Sequence, residues 1–405
     1  MTIVKPLNQH AIRQSNLKRI YSLVAANEGI SRASLAALTG LSKTTVSDLV
    51  EDLINQGFLV DEGVSQTTRQ GRKPNSLRLN SEGNVIIVIN WLPTKLQAAC
   101  VDLAGKVRDF REQTFDVGQD YAQQISSVYR MLRGGVEKGT NPPRVLAMCI
   151  IMPSIIDPVQ KRVITSVLPV QSGEWVIRRL RAAIPDVPMG IFNDTACFAY
   201  AEAVRHPLDR EPSLFVNLSG GVGAVMFSDG QMLRGANGLT TQFGHFSVLR
   251  SGPLCRCGNR GCLERRVGEN VLAERAREFM PIEQLEAFGT LNYHTLGQAA
   301  DEGVAEFCQL ADSMAEDLAY ALGNFITLYN VGKCVIGGAG RQLRHYFFQQ
   351  LQEHLMYHGF RDFVRSCEFQ YSHAPEHAEF SGAARYLIDS HYQFEEEQSG
   401  TLFLY

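Results

Sequence analysis

Apolar positions change their spacing more than once along this chain of 405 residues. Between residues 8 and 27, Ile12, Leu17, Ile20, Tyr21, Leu23 and Val24 recur near helical spacing, which predicts an amphipathic helix. The stretch GISRASLAALTGLSKTTVSDLVEDLINQGFLVDEG then holds two shorter helical groups. Ser31 is placed to cap the first, which runs through Leu38, and Thr39-Gly40 supplies a turn. Ser42 caps the second, whose inner face is Val46, Leu49, Val50 and Leu53, and Gly57 ends it. FLVDEG and SLRLN follow with strand-like patterning.

From residue 85 the texture changes. VIIVIN, LQAACVDLAGKVRDF, VLAMCIIM, MGIFND, SLFVNLSGGVGAVMF and KCVIGGAG read as strands, several ending in Gly or Asp turns. Helical stretches come between them, near 119–138, 174–184, 194–204, 268–279 and 304–328. Strands alternating with helices predict α/β layering, in two lobes with a cleft between them. The longest apolar runs, VIIVI at 85–89 and AMCIIM at 147–152, are strand-sized and far short of a membrane span. No N-terminal stretch reads as a signal peptide, so a cytoplasmic location is expected.

Two short helices about a Gly-containing turn, followed by a two-stranded wing, are the pattern of a winged helix-turn-helix. Ser42, Lys43, Thr44, Thr45 and Ser47 cluster at the start of the second helix, where hydroxyls and a lysine can reach base edges or phosphates in a major groove. The wing loop VSQTTRQGRKPN carries a basic tip of Arg69, Arg72 and Lys73. Charge agrees locally: residues 1–80 hold ten Lys and Arg against six Asp and Glu, about +4, while the whole chain carries −3. The alternative is a three-helix packing module with a solvated basic loop.

Hydrophobic content of 45% and charged content of 20% are those of a globular protein with an ample core. Of the nine cysteines only three are clustered, in GHFSVLRSGPLCRCGNRGCLE at 244–264. Cys255, Cys257 and Cys262, with His245 upstream, fit a four-ligand tetrahedral zinc site. All four positions would be filled by protein, which points to structural zinc, one per chain, rather than Lewis-acid catalysis. Reduced cysteines without metal are the alternative. Cys100, Cys149, Cys197, Cys308, Cys334 and Cys367 lie in mostly apolar contexts and read as core residues.

Three stretches carry a family resemblance: FNDTACFAYAE, GHFSVLRSGPLCRCGNRGCLE and NVGKCVIGGAG. With them the chain resembles the ROK family of sugar kinases and sugar-responsive repressors over nearly its whole length. The N-terminal helix-turn-helix with its GRKP wing is similar to that of the repressor branch. The resemblance implies an actin-like ATPase fold whose two lobes close on a sugar. It makes Asn193 and Asp194 the family's sugar-binding pair, with Asp194 the general base of the kinases, and makes Glu264 a further sugar contact. Gln242 stands where the family has a glutamate, and His245 is placed to touch the ligand through its free ring nitrogen. Val170 stands where the family often has asparagine, and Pro153-Ser154 where it has a Pro-Gly turn.

Two departures bear on catalysis. The family's DxGGT phosphate turn is NWLPT at 90–94, where Trp91, Leu92 and Pro93 are expected to fill the space that glycines leave open. The second phosphate loop, GTGxG in the kinases, is SGGVG at 219–223. The expectation is therefore no enzymatic activity and no catalytic residues. The chain is expected to be a transcriptional repressor of carbohydrate genes, binding operator DNA as a homodimer or homotetramer under control of a sugar or sugar phosphate. The alternatives are an ATP-dependent sugar kinase with a fused DNA-binding domain and a repressor controlled by docking to a phosphotransferase-system protein. The expected divisions are 1–82 for the DNA reader, 83–196 for the first lobe, completed by 382–405, and 197–381 for the second, with its zinc loop and oligomer surface.

Overall fold

The computed structural model of the protein describes residues 9–62, 76–138, 140–157, 160, 162–205, 211–235 and 242–390. The chain forms two compact units, residues 1–204 with 377–405, and residues 205–376.

The first unit opens with three helices, α1 (Gln9–Ala26), α2 (Arg32–Thr39) and α3 (Lys43–Asn55). Their shared core takes Leu17, Ile20, Tyr21 and Val24 from α1, Leu35 from α2, and Val46, Leu49, Val50 and Leu53 from α3. The predicted face of α1 is rotated slightly: Ile12 is exposed and Gln14 is buried. Strands β1 (Leu59–Asp61) and β2 (Leu77–Leu79) pair antiparallel, Leu59 opposite Leu79.

A five-stranded sheet follows, from β3 (Asn84–Trp91), β4 (Lys95–Asp102), β5 (Val107–Thr114), β6 (Arg144–Met152) and β9 (Met189–Asn193), in the order β5-β4-β3-β6-β9. β3 and β4 form a hairpin, whereas β6 and β9 lie parallel to β3, so the ends of those three strands share one edge. Helices α4 (Tyr121–Val136) and α5 (Val176–Ala183) cover one face, over a core that includes Ile87, Ile89, Trp91, Ile125 and Leu180. A small hairpin of β7 (Ser154–Ile156) and β8 (Val163–Ser166) lies between β6 and α5 in the chain. Helix α6 (Asp194–Ala203) leaves β9 directly.

The second unit repeats the plan. Strands β10 (Ser213–Leu218), β11 (Val222–Ser228), β12 (Gln231–Met232), β13 (Lys333–Gly338) and β14 (Glu368–Tyr371) are ordered β12-β11-β10-β13-β14, again a hairpin followed by two parallel neighbours. Its helices are α7 (Glu264–Val267), α8 (Leu272–Ala276), α9 (Ile282–Phe288), α10 (Tyr293–Asp301), α11 (Ala305–Tyr329), α12 (Arg344–Leu355) and α13 (Arg361–Ser366). α11 is the core helix, burying Leu310, Met314, Leu318, Leu322 and Ile326 along one face. The helix expected near 268–279 is interrupted: a 3₁₀ turn at Glu269–Val271 precedes α8.

The chain returns to the first unit as α14 (Ala378–Ser390), which packs against α6. The expected boundaries at 196/197 and 381/382 therefore fall inside α6 and α14. Both helices belong whole to the first unit. Of the cysteines read as core, Cys100, Cys149, Cys197, Cys334 and Cys367 are buried and Cys308 is half-buried.

Candidate functional site

Local chemistry sets the geometry of the helix-turn-helix. Ser31 accepts a hydrogen bond from the Ser34 amide at 3.1 Å and starts α2. Gly40, at φ 72°, closes it in the left-handed conformation that glycine adopts without a side-chain penalty. Arg19 of α1 then donates to the carbonyls of Thr39 at 3.0 Å and Leu38 at 3.1 Å, satisfying the open end of α2. Ser42 caps α3 by accepting from the Thr45 amide at 3.1 Å. With Val46 buried, Ser42, Lys43, Thr44 and Ser47 face solvent, and Thr45 is half-buried with its hydroxyl 2.9 Å from that of Ser42. The first turn of α3 is therefore a polar, singly basic surface with exposed hydroxyls. The wing tip residues Arg69, Arg72 and Lys73 lie outside the described residues.

At the edge of the first sheet, Asn193 does two jobs. Its side-chain oxygen caps α6 by accepting from the Ala196 amide at 3.2 Å, and its amide donates to the Ser154 carbonyl at 3.2 Å. The following Asp194 is half-buried at the first position of α6. Burial pushes its carboxyl up to about 6, against a hydrogen bond from the Thr195 amide, and the nearby Glu379 carboxylate adds to the rise.

The NWLPT segment differs in detail from expectation. Trp91 is the last residue of β3 and is fully buried, stacked 4.8 Å from Tyr121 and 5.3 Å from Phe115 in the core under α4. It anchors the hairpin from beneath rather than filling the turn. The turn itself is tight: the Leu92 amide donates to the Lys95 carbonyl at 2.9 Å, and Pro93 has no amide hydrogen to offer. Asn90 is buried beside Gln97, its register partner across the hairpin.

The matching hairpin of the second unit, β10–β11, keeps its glycines. A Cβ on Gly220 would lie 2.8 Å from the Asn270 side-chain amide, and one on Gly221 would lie 3.3 Å from Glu264 Oε2. Asn270 thus occupies the space beside Gly220. The carbonyls of Ser219 and Gly220 accept from the Glu269 and Asn270 amides at 3.0 and 3.2 Å, tying the loop to the turn after α7. No spacing rule in the sequence pointed to Asn270.

The fourth ligand candidate arrives on a 3₁₀ turn, Phe243–His245. Gly244 rests on β11, where any Cβ would meet the Val222 carbonyl oxygen at 2.1 Å. The loop after it is held by bridges between Ser247 and Cys262 and between Leu254 and Arg260, with Gly258 and Gly261 at positive φ. The result gathers His245, Cys255, Cys257 and Cys262, whose ligand atoms all lie within 4.8 Å of one another. Cys257 and Cys262 sulfurs are 3.6 Å apart, and Cys255 Sγ is 3.7 Å from His245 Nδ1, so Nε2 is the ring nitrogen left over. Burial and then the neighbouring thiols push Cys262 up to about 12. Three thiols and an imidazole gain little from one another while neutral, whereas a divalent ion that favours sulfur would draw their protons off and satisfy all four. The donor set fits such an ion. Glu264 borders it, with Oε1 3.2 Å from Cys255 Sγ and 3.6 Å from His245 Nδ1. Gln242, just ahead of the turn, is exposed.

Together these features define a winged-helix DNA-binding module joined to a doubled α/β body of the actin-like kinase type. The chain belongs to the ROK family: that family's profile matches residues 88–390, and a winged helix-turn-helix DNA-binding profile matches residues 13–60. It is 25% identical over 358 residues to the xylose repressor of Caldicellulosiruptor bescii, covering 85% of this chain and 88% of that one. It is 24% identical over 345 residues to the DNA-binding transcriptional dual regulator NagC of Escherichia coli, covering 82% of each. Among solved structures, a ROK family transcriptional regulator homologous to the Escherichia coli Mlc protein matches 93% of this chain and 96% of its own, with TM-score 0.79 and 22% identity. A ROK glucokinase from Streptomyces griseus, solved with glucose and AMPPNP, matches 74% of this chain and 98% of its own, with TM-score 0.61 and 18% identity.

Proposed function

We propose that this protein is a sequence-specific transcriptional repressor of carbohydrate uptake or metabolism genes, whose DNA binding is modulated by a sugar or sugar phosphate held by the kinase-like body. The observation that carries the reading is the pairing of two features in one chain. The polar first turn of α3 is capped and exposed, as a groove reader requires, while the first hairpin of the body turns through a proline above the buried Trp91. Relatives named xylose repressor and N-acetylglucosamine repressor support the carbohydrate assignment.

The candidate effector contacts are Asn193 and Asp194 on the first unit and Gln242, His245 and Glu264 on the second. A zinc ion held by His245, Cys255, Cys257 and Cys262 would fix the loop between Gln242 and Glu264 and leave no open coordination position. Its part is structural. The protein acts in the cytoplasm as a homodimer or homotetramer on palindromic half-sites. Exposed Tyr320, Leu328, Tyr357 and Phe360 on the second unit supply apolar surface for that assembly. A signal from a phosphotransferase-system protein is the second reading, and co-purification of such a protein without added sugar would favour it.

The test begins with a duplex selected from random-sequence DNA by the purified protein. Lys43→Ala and Thr44→Ala should weaken binding to it by about 1–3 kcal/mol each where they contact bases. Arg72→Ala and Lys73→Ala should weaken binding on all duplexes and lower the salt slope by about one each. Unchanged affinity in all four variants refutes the DNA-reading assignment. Transfer of phosphate from ATP to any of a panel of hexoses, lost in Asp194→Asn, would instead establish a kinase.

A further inference from the structure

Among the contacts that tie the DNA-binding head to the helices of the first unit is one largely buried carboxylate. Asp389, in the last turn of α14, receives three donors from three helices. Ser22 of α1 donates its hydroxyl to Oδ1 at 3.0 Å. Tyr200 of α6 and Arg385 of α14 donate to Oδ2 at 2.9 and 2.7 Å. The Arg385 guanidinium also lies over the ring of Tyr21, 5.4 Å from its centroid, and the fully buried Tyr21 donates its hydroxyl to the Leu103 carbonyl at 3.4 Å. Lys18 adds a contact to the Ser390 carbonyl at 3.4 Å. Asp389 and Arg385 side chains are only 13% and 18% exposed, so water does not compete freely for these bonds.

The other end of the same construction is the candidate effector edge. α6 begins at Asp194 and reaches Tyr200 six residues later, about 9 Å along a helix that rises 1.5 Å per residue. α6 cannot slide freely on α14: Gly382 brings the helices so close that a Cβ there would lie 2.0 Å from the Cys197 carbonyl oxygen and 2.9 Å from the Ala201 nitrogen. The Tyr386 ring wedges against Tyr200 and Phe192, at 4.9 and 5.1 Å. A shift at the start of α6 therefore moves α6 and α14 together, and α14 presents Arg385 and Asp389 to α1.

Resting on the effector reading above, we propose that Asp389 is the positioning residue that couples the start of α6 to the DNA-binding head, through Tyr200 on α6 and Ser22 on α1. Any effector engaging Asn193 and Asp194 then biases α1, and through it α3, by way of the Asp389 carboxylate. Linkage makes the effect reciprocal, so DNA on the head must be felt at α6.

That reciprocity gives a test with no effector needed. Amide hydrogen exchange is measured on the full chain with and without a duplex selected by the wild type, in wild type, Tyr200→Phe and Ser22→Ala. Each variant removes a single hydroxyl. In wild type, DNA should change exchange across residues 194–203 by about fivefold or more, the low end of coupling between linked sites. In both variants the duplex should still bind, and the change at 194–203 should vanish. Three results overturn the proposal: no DNA-dependent change at 194–203 in wild type, the same change in the variants, or loss of thermal stability in the variants with the response intact. Failure to select any duplex would sink the DNA-binding reading and this coupling with it, whereas persistence of the response in the variants sinks the coupling alone.

Discussion

The two sheets share one strand order, yet the hairpins at corresponding positions have opposite character. In the first unit, β3–β4 turns through Leu92-Pro93-Thr94 with Trp91 buried below it. In the second, β10–β11 turns through Ser219-Gly220-Gly221, open in backbone but occupied from the side by Asn270 and Glu264. A phosphate turn needs backbone amides free to converge on oxygen atoms. In the first hairpin proline has no amide hydrogen, and the Leu92 amide is taken up by the Lys95 carbonyl. The second turns through glycines, with Asn270 and Glu264 beside them. The second hairpin also backs onto the cluster of His245, Cys255, Cys257 and Cys262, through Gly244 on Val222 and Glu264 beside Gly221.

The largest break in this contrast comes from the cluster. Chelation of the metal, or Cys257→Ser, should abolish metal retention and unfold the 243–264 loop locally, since the binding energy of a structural zinc is folding energy. Amide exchange should rise sharply at 243–264 and at 219–223 and stay unchanged at 90–95. A wild-type chain purified without metal, by elemental analysis, would end the zinc assignment.

Next is Trp91→Ala. Its ring is sandwiched against Tyr121 and near Phe115 with no exposed area, so truncation should cost about 3–5 kcal/mol in urea unfolding. The loss should fall on the first unit, with the second unit's exchange protection retained. A cost below about 1 kcal/mol would mean that the hairpin is not pinned from beneath.

A smaller effect is expected at Asp194. A carboxyl pushed up to about 6 by burial binds its proton more tightly in the folded than in the unfolded state, whose value is near 3.8. Stability must therefore fall as pH rises from about 4 to about 6, by about 2 kcal/mol after allowance for partial exposure. Asp194→Asn should match wild type at pH 4 and exceed it by that amount at pH 7.5, in parallel denaturation curves. A stability gain on removing a charge is the mark of a group kept for binding rather than for folding. Equal pH profiles in the two proteins would remove the effect.

Much of this was legible in the sequence because it is local. Ser31, Gly40 and Ser42 act within four residues of themselves, and the Cys255–Cys262 loop folds on its own turns. The apolar character of NWLPT was also plain, but not where its tryptophan points. The direction follows from strand alternation, which sends Ile87, Ile89 and Trp91 to the α4 face together. What could not be read were contacts set by distant packing. Asn270 against Gly220, Gln14 rather than Ile12 inside α1, and Asp389 beneath Ser22 and Tyr200 each depend on elements 50 or more residues away or on how a helix is seated. The interrupted helix after Gly268 belongs with them, because Gly268 is hemmed in by the Gly220 carbonyl of a remote loop.

The finest test of the contrast is Gly220→Ala. Gly220 is not held in a left-handed conformation, so only space opposes a methyl group there. The nearest atom is the Asn270 amide nitrogen at 2.8 Å, the end of a side chain that can rotate. The substitution should cost less than about 1 kcal/mol. In an Asn270→Ala background it should turn neutral or stabilising by about 0.4–1 kcal/mol, through the lower entropy of the unfolded chain. A thermal-unfolding cycle over the four proteins measures this coupling directly. If Gly220→Ala is as costly with Asn270 removed as with it present, the loop is closed by its own backbone.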